Sequence, residues 1–348
     1  MAKYDDDIGG VWRTIGGRRV FIRNGEDLAS AMKRSGKFKK AEINKKPESD
    51  EAKEEQVLKQ EMQTREEKLE YIKGIENERA RKNLTNSPVL DEMTLDDIKM
   101  YEDIQNGKTF SYDELYNSNV VQSAEKFNDD KGSWYIEGDE PSPDQMKKFE
   151  YAQDKFIEDA DLDSKSNNRE AVLVVGLPSS GKSTAVADEM LKKYNAVEMD
   201  NDKIKPLFKK EYNDGKGANY VQNASSYVSE NMVLPKLTQK GTNLVIPVVG
   251  KKESSLMAKI DLLKKNNYDV KIVDVELDKQ KALNRAYSRY VDKGRYVSLK
   301  YIGGIDENKI KANYETAKKS GKVSGWQIVD NNVKFGEKAK VVENGGEW

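Results

Sequence analysis

The chain of 348 residues contains neither cysteine nor histidine. Without cysteine there is no disulfide, no thiolate nucleophile and no zinc–thiolate site, which fits a compartment that is not oxidising. Without histidine there is no histidine-dependent triad and no imidazole base. Acid–base chemistry must therefore fall to Asp, Glu, Lys or Tyr.

An excess of either charge is also missing, because 60 Lys and Arg stand against 61 Asp and Glu. This balance gives no general attraction to nucleic acid or to a membrane surface, so we expect neither as a partner. No run approaches the roughly 18 apolar residues of a spanning helix, and the first residues lack the apolar core of a secretion signal. We therefore expect a soluble chain.

The strongest motif lies between residues 171 and 184. Five consecutive apolar residues without alternation, 171–175, indicate a central strand buried on both faces of a parallel sheet. The pattern G-x-x-x-x-G-K-S follows, and residues 183–194 have a helical pattern. Strand, glycine loop and helix in this order predict a phosphate-binding loop. The predicted nucleotide-binding residues are Gly176, Pro178, Ser179, Ser180, Gly181, Lys182, Ser183 and Thr184.

Each residue type in this loop suits a triphosphate. Gly176 and Gly181 let the backbone curl so that successive N–H groups point at one anion, close to the N-terminus of the helix. Lys182 can reach the β- and γ-phosphates, and the Ser183 hydroxyl can bind Mg²⁺. The sequence therefore predicts binding of a nucleoside triphosphate, with ATP and Mg²⁺ as the expected cofactors.

Strands alternate with helices from about residue 145 to residue 348, which predicts an α/β domain with a doubly wound, mostly parallel sheet. We expect the strand that ends at Met199 to lie next to the first strand. In such sheets, ligands bind beyond the carboxyl ends of the strands, where Gly176, Asp202 and Gly250 fall. The strands predicted after the first are 196–199, 243–249, 268–277, 326–329 and 333–335.

Three segments precede this α/β domain. Residues 1–44 are predicted to form a small module with a β-hairpin around Gly16 and Gly17 and a short helix. Residues 45–88 are predicted to be a charged helical linker. Residues 89–144 are predicted to be helical or irregular, with no role assigned. The apolar stripe of the charged segment consists of Leu58, Met62, Leu69 and Ile72.

Two groups of charged residues could act on an acceptor. Asp202 follows the second strand, where a carboxylate can take the proton of an attacking hydroxyl or help to hold Mg²⁺. Asp200 is its rival for either role. Planar guanidinium groups suit a transferring phosphoryl group, and three arginines follow in the second half of the domain. These arginines are Arg285, Arg289 and Arg295.

The order of these motifs resembles the zeta-toxin family of P-loop kinases. The matching segments, over about residues 170–340, are G-L-P-S-S-G-K-S-T, D-N-D-K-I-K, Q-K-G-T-N-L-V-I, N-R-A-Y-S-R-Y and G-R-Y-V. Known members use ATP and Mg²⁺ to phosphorylate the 3′-hydroxyl of the amino sugar in UDP-N-acetylglucosamine, and a divergent relative phosphorylates NAD. The resemblance implies a cytoplasmic toxin kinase of a bacterial host cell, with a nucleotide-linked acceptor and an antitoxin as candidate partners.

The resemblance also implies roles for individual residues. Lys182 corresponds to the nucleotide-binding lysine, and Ser183 and Asp202 are the predicted metal ligands. Asp202 corresponds to the general base. Arg289 and Arg295 correspond to the arginines that clamp the phosphates.

The chain departs from the family at one substrate-binding strand. Where the family has an acidic residue followed by Gly-Thr-Gly-Arg, this chain reads Pro-Val-Val-Gly-Lys over residues 247–251. Lost hydrogen bonds to substrate hydroxyls cost roughly 0.5–1.5 kcal/mol each. The ATP-binding half of the family pattern is therefore retained in this chain, whereas the sugar-binding half departs from it. Substrate contacts are assigned to Asn201, Glu230 and Lys251, with Asn223 as a further candidate.

A second resemblance lies near the N-terminus. The segment G-V-W-R-T-I-G-G-R-R-V-F-I resembles part of phage minor head (MuF-type) proteins and of cargo attached to them. It implies the alternative that the chain is a virion-associated ATP-binding protein with weak or lost kinase activity. Residues 1–85 would then bind a capsid or portal component.

Overall fold

The computed structural model describes residues 10–15, 18–23, 64–333 and 337–348. Strands β1 (Gly10–Ile15) and β2 (Arg18–Arg23) pair antiparallel, which confirms the predicted hairpin strands. This hairpin and the chain from Thr64 onward belong to separate compact units. Leu58 and Met62 of the predicted apolar stripe lie outside the described residues.

The larger unit is built on a six-stranded sheet in the order β4-β5-β3-β6-β7-β8. All neighbouring strands are parallel except β7 and β8, which confirms the predicted mostly parallel α/β fold. The strands are β3 (Glu170–Val175), β4 (Val197–Glu198), β5 (Leu244–Val248), β6 (Asp269–Glu276), β7 (Gly325–Asp330) and β8 (Lys340–Gly346).

The prediction that the second strand neighbours the first is wrong. Strand β5 lies between them and pairs with β3 over five residues, whereas β4 pairs only with Leu244 and Val245 of β5. A continuous apolar strand gains most from a position with both faces covered, so β5 takes the interior place and the two-residue β4 takes the edge.

Residues 334 and 335 of the predicted closing strand 333–335 lie outside the described residues. The closing strand is β8, which pairs antiparallel with β7. The chain turns after β7 because the backbone N–H of Asn332 donates to Asp330 Oδ1 (2.8 Å), and Val333 lies in the bend that follows. Residues 334–336 are not described.

Helices cover both faces of the sheet and extend beyond it. Those before the sheet are α1 (Arg65–Lys73), α2 (Glu78–Thr85), α3 (Leu95–Gln105), α4 (Tyr112–Tyr116), α5 (Asn119–Lys131) and α6 (Pro143–Ala160). Those that follow β3 are α7 (Asp188–Tyr194), α8 (Asn201–Ile204), α9 (Lys209–Tyr212), α10 (Gln222–Tyr227), α11 (Leu234–Lys240), α12 (Glu253–Lys265), α13 (Lys279–Lys293), α14 (Leu299–Gly303) and α15 (Glu307–Lys319). Two π-helical segments, Lys182–Ala187 and Val228–Val233, lead into α7 and α11.

The two faces of β3 explain why its sequence does not alternate. Val172 and Val174 pack in a cluster with Val186 and Met190, which belong to the helix after the glycine loop. Leu173 and its neighbours on the opposite face belong to the main core. Both faces are buried from Ala171 to Val175, so each of these five positions is apolar.

Helices α1–α5 form part of the larger unit, and α2, α3 and α4 pack along α13. Leu84 of α2 and Ile98 of α3 are fully buried. Ser87 Oγ donates to the Val291 carbonyl (2.6 Å), and the Tyr287 hydroxyl donates to the Asp97 carbonyl (3.1 Å). The predicted boundaries at residues 88 and 144 therefore fall inside this unit, and a deletion meant to spare it must end before Thr64.

Candidate active site

The loop between β3 and the following helix has the backbone shape that its glycines allow. Gly176 has φ 147°, and a Cβ there would lie 2.6 Å from the Val275 carbonyl oxygen. Ser179 and Gly181 have φ values of 61° and 88°. These left-handed conformations turn the chain sharply at the carboxyl end of β3, and a helix begins directly after the turn, at Lys182.

Lys182 folds over this loop. Its Nζ donates hydrogen bonds to the carbonyl oxygens of Gly176 (2.8 Å) and Leu177 (2.6 Å). Burial lowers the pKa of Lys182 to about 7, and the nearby charge of Asp200 opposes this shift. A phosphate anion in the loop would restore the charged form, because an opposite charge at close range stabilises it.

The loop is braced by Asn331, a residue that the sequence analysis missed. Asn331 Nδ2 donates to the Ser180 carbonyl (2.7 Å), and its own carbonyl accepts from the Arg285 guanidinium (3.1 Å). A Cβ on Gly181 would collide with the Asn331 amide. The sequence feature that could have indicated Asn331 is a pair of asparagines directly after a strand that ends at the ligand-binding edge of the sheet.

The two rival aspartates occupy different environments at the start of α8. Asp200 caps the helix, since its Oδ1 accepts from the Asp202 backbone N–H (2.9 Å). Burial raises the pKa of Asp200, and Arg295 opposes this shift. Asp202 instead forms ion pairs with Lys205 Nζ (2.9 Å) and with the Arg295 guanidinium. Asp202 is therefore the carboxylate placed between two cations in the cleft.

Buried cations surround this carboxylate. Burial lowers the pKa of Lys205 to about 8, and it also lowers the pKa of Arg289 and Arg295, while Asp200 opposes each of these shifts. The Arg289 Nε is buried and makes no hydrogen bond to any other described residue. An incoming anion would relieve the cost of holding such charges away from water. The sequence analysis did not predict that Lys205 contacts Asp202. The spacing of three residues indicates such a contact, because side chains at i and i+3 lie close together on a helix.

The predicted substrate residues lie around the mouth of the cleft. Asn201 Nδ2 donates to Ser226 Oγ (3.0 Å), and Glu230 accepts from Lys259 Nζ (3.0 Å). Lys251 Nζ lies 4.3 Å from the ring centroid of Tyr301, which the sequence analysis also missed. This is the distance of a favourable cation–π contact.

The departure at Pro247 is compatible with the sheet. Pro247 pairs with Val174 of β3, but β4 ends at Glu198, which is opposite Val245. The missing N–H of Pro247 therefore costs no hydrogen bond to β4, and proline is tolerated in a sheet where its nitrogen faces no partner strand.

One cleft of about 2160 Å³ brings these groups together, which exceeds the usual size of a pocket for one small ligand. Gly176 and Ser180 are not part of its wall, and Ser180 is fully buried behind the loop. The sequence-predicted residues that line it are Pro178, Ser179, Gly181, Lys182, Ser183, Thr184, Asp200, Asn201, Asp202, Asn223, Glu230, Lys251, Arg285, Arg289 and Arg295.

The donor set suits Mg²⁺ that arrives with a nucleotide. Over residues 64–333 and 337–348, no group of three or more acidic side chains is arranged to hold a metal ion alone. Ser183 and Asp202 contribute one hydroxyl and one carboxylate to the same cleft. Mg²⁺ is usually bound by one or two carboxylates together with phosphate oxygens, so these residues fit it.

In the described part of the chain, no helix is both long enough and apolar enough to span a membrane.

Two solved structures illustrate the similarity to known proteins. One comes from the PezAT chromosomal toxin–antitoxin system of Streptococcus pneumoniae: it is 16% identical, aligns over 60% of this chain and 84% of that chain, and has a TM-score of 0.47. The other is AvrRxo1-ORF1:-ORF2 with ATP: it is 15% identical, aligns over 68% of this chain and 74% of that chain, and has a TM-score of 0.41. No curated protein matches the sequence.

A family comparison gives a broader result. The family described as zeta toxin matches residues 154–337, which is more than half of the chain. The match begins well after the N-terminal segment, so the resemblance of that segment to phage head proteins stays a prediction. Because this match covers more than half of the chain, the chain belongs to the zeta-toxin family.

Proposed function

We propose that this protein is an ATP-dependent phosphotransferase that moves the γ-phosphoryl group of ATP to a hydroxyl of a nucleotide-linked metabolite. The observation that carries the proposal is the position of Asp202. Its carboxylate is held by Lys205 and Arg295 in the same cleft as Lys182 and Ser183. A phosphate-binding loop and an oriented carboxylate in one cleft are the two parts that phosphoryl transfer requires.

In this proposal the loop and the cations hold the triphosphate. Backbone N–H groups at the start of the helix and Lys182 Nζ bind the β- and γ-phosphates. Arg289, with its unpaired Nε, offsets the charge that spreads over the transferring group. Mg²⁺, with Ser183 and Asp202 as its proposed protein ligands, would neutralise further phosphate charge when bound.

Asp202 acts on the acceptor. Its ion pairs with Lys205 and Arg295 fix the direction of the carboxylate. In a loose transition state the hydroxyl proton is lost late, so a weak base that orients the hydroxyl is sufficient. Asp200 is the weaker candidate because its oxygen is already engaged as a helix cap.

For the acceptor we propose UDP-N-acetylglucosamine first and NAD second. Both carry a diphosphate, which Lys251 could bind, and both carry rings that could stack on Tyr301. Asn201 and Glu230 would supply hydrogen bonds to the sugar. Depletion of either metabolite would make the protein a toxin, for which an antitoxin is a proposed partner.

The test is to incubate the purified full-length protein with ATP and Mg²⁺ and to offer the two acceptors in parallel. Mass spectrometry should show one acceptor with a gain of one phosphoryl group. Lys182→Ala should abolish the product, whereas Lys210→Ala, an exposed lysine that does not line the cleft, should leave it unchanged. Bound ATP without either product would contradict the proposed acceptors, and the absence of ATP binding would contradict the proposed function.

A further inference from the structure

A turn that precedes the family-matched region lies on the wall of the same cleft. Residues 105–109, at the end of α3, line the cleft together with the phosphate-binding loop. The family match begins only at residue 154. This wall is therefore contributed by a part of the chain that lies outside the family match.

The turn is fixed to α13 at both of its ends. Before it, Gln105 Nε2 donates to Ser288 Oγ (3.3 Å). After it, the Phe110 backbone N–H donates to Asn284 Oδ1 (3.0 Å), and Asn284 Nδ2 donates back to the Phe110 carbonyl (2.9 Å). Phe110 and Asn284 are both buried, so the turn is held in place by a reciprocal, buried hydrogen-bond pair.

The same helix connects the turn to the phosphate-binding loop. Arg285 is adjacent to Asn284 on α13, and its guanidinium lies 3.7 Å from the position of a Cβ on Gly181. It also donates to the Asn331 carbonyl (3.1 Å). The turn, Arg285 and the loop thus form consecutive parts of one wall.

The position of the wall suggests what it contacts. When the loop binds the β- and γ-phosphates, the nucleoside extends away from Lys182 into the rest of the cleft. Asn106 and Thr109 are exposed residues of this wall and carry an amide and a hydroxyl group. Asn106 Oδ1 already accepts from Asn77 Nδ2 (2.8 Å), so Asn106 would act on the base edge or the ribose through its amide N–H groups. The Thr109 hydroxyl can both donate and accept. Gly107 allows the turn itself, since its φ is 96°.

We propose that residues 105–109 form the nucleoside-binding wall of the ATP site, with Asn106 and Thr109 as the residues that contact the base or the ribose. This inference rests on the proposed function. It makes the N-terminal helical region part of the nucleotide site. Residues 154–337 alone would then lack one side of that site.

The test compares ATP with inorganic tripolyphosphate, which has the phosphates but no nucleoside, in binding titrations of the full-length protein. Asn106→Ala and Thr109→Ala should each weaken ATP binding by about 3- to 10-fold, the cost of one lost hydrogen bond. Both variants should bind tripolyphosphate as the wild type does. Asn117→Ala is the matched control, because Asn117 is exposed and does not line the cleft.

Unchanged ATP affinity in both variants would overturn the inference while leaving the proposed function intact. Equal losses for ATP and tripolyphosphate would also overturn it, because the turn would then act only by supporting the phosphate loop. Lys182→Ala should weaken both ligands, which identifies the loop as their common site. If the wild type bound neither ligand, the inference and the proposed function would fail together.

Discussion

The cleft has two parts that are built in different ways: the phosphate end, proposed to bind the triphosphate, and the acceptor end, proposed to bind the acceptor. The phosphate end comes from one continuous stretch, residues 176–184, and is held by backbone shape and by the buried contact from Asn331 to Ser180. The acceptor end comes from separate segments that carry Asp202, Lys251 and Tyr301. The phosphate end is therefore determined by local sequence, whereas the acceptor end is formed when distant segments pack together.

The two ends also differ in how freely they can change. A side chain at Gly176 would collide with the backbone of β6. The acceptor end instead relies on partly exposed contacts, such as Glu230 with Lys259 and Lys251 with Tyr301. Such contacts contribute little to stability, so they can diverge while the fold and the nucleotide site persist.

The largest effect is expected for the base. Asp202→Asn should lower the rate of phosphoryl transfer by roughly 10²–10⁴-fold, because it removes the group proposed to take the proton. In the absence of Mg²⁺, for which Asp202 is also a proposed ligand, ATP affinity should change little, since the loop that binds the phosphates remains. Rapid-quench kinetics and an ATP titration measure the two quantities separately. Full transfer activity in the variant would remove Asp202 from the mechanism.

A buried carboxyl beside the phosphate end should make stability depend on pH. Asp274 of β6 pairs with Val175 of β3 and is almost fully buried. Burial raises the pKa of Asp274 to about 7 from an ordinary 3.8, and Glu276 adds to the shift. The native state therefore holds this proton more tightly than the unfolded state, so stability falls as pH rises from about 4 to 7.

Asp274→Asn should remove this dependence. At pH 8 the variant should unfold at a higher denaturant concentration than the wild type. Its free energy of unfolding should be higher by up to about 4 kcal/mol, since each pKa unit is worth about 1.36 kcal/mol. Near pH 4 the two proteins should be similar. Urea unfolding at both pH values provides the measurement, and parallel pH profiles for the two proteins would contradict the prediction.

The phosphate loop should not tolerate a side chain at Gly181. This residue has φ 88°, and a Cβ would collide with Asn331. Strain of this kind costs about 1–3 kcal/mol, so Gly181→Ala should weaken ATP binding by about 10- to 100-fold. Gly321→Ala is the control, because Gly321 has φ 71° but no described atom within 4 Å of its would-be Cβ. Equal ATP affinities for Gly181→Ala and the wild type would contradict the prediction, because the loop would then accommodate the added methyl group without strain.

The smallest effect is expected at the acceptor end. Tyr301→Ala should raise the KM for the acceptor by about 10-fold, because a stacking surface is lost, and should leave the KM for ATP unchanged. Tyr301→Phe keeps the ring and should behave as the wild type. Steady-state kinetics with each substrate varied in turn separate the two constants. A rise in the KM for ATP alone would place Tyr301 in the nucleotide half instead.

The fold of the phosphate half was predictable because its signals are local. The apolar run of β3, the glycine loop and the helix after it follow one another in the sequence, and the structure contains them in that order. The end of α11 at Gly241 was likewise marked by a glycine in a left-handed conformation. Local signals do not contain strand order, so the place of β4 beside β5 was missed.

The parts of the site that were missed depend on contacts between distant segments. Asn331 reaches Ser180 across 151 positions of the sequence, and Asn284 reaches Phe110 across 174. No spacing rule connects such pairs. The buried helices before residue 131 were expected to be partly a linker, because their many charged side chains obscured the apolar residues that pack on α13.

The most direct test of the account follows the γ-phosphoryl group itself. With γ-³²P-labelled ATP, Mg²⁺ and an equimolar mixture of UDP-N-acetylglucosamine and NAD, the wild type should place the label on an acceptor hydroxyl. This result would mean that the loop containing Lys182 and the carboxylate of Asp202 act on one phosphoryl group. Label released only as inorganic phosphate, at the same rate with and without acceptor, would contradict that claim.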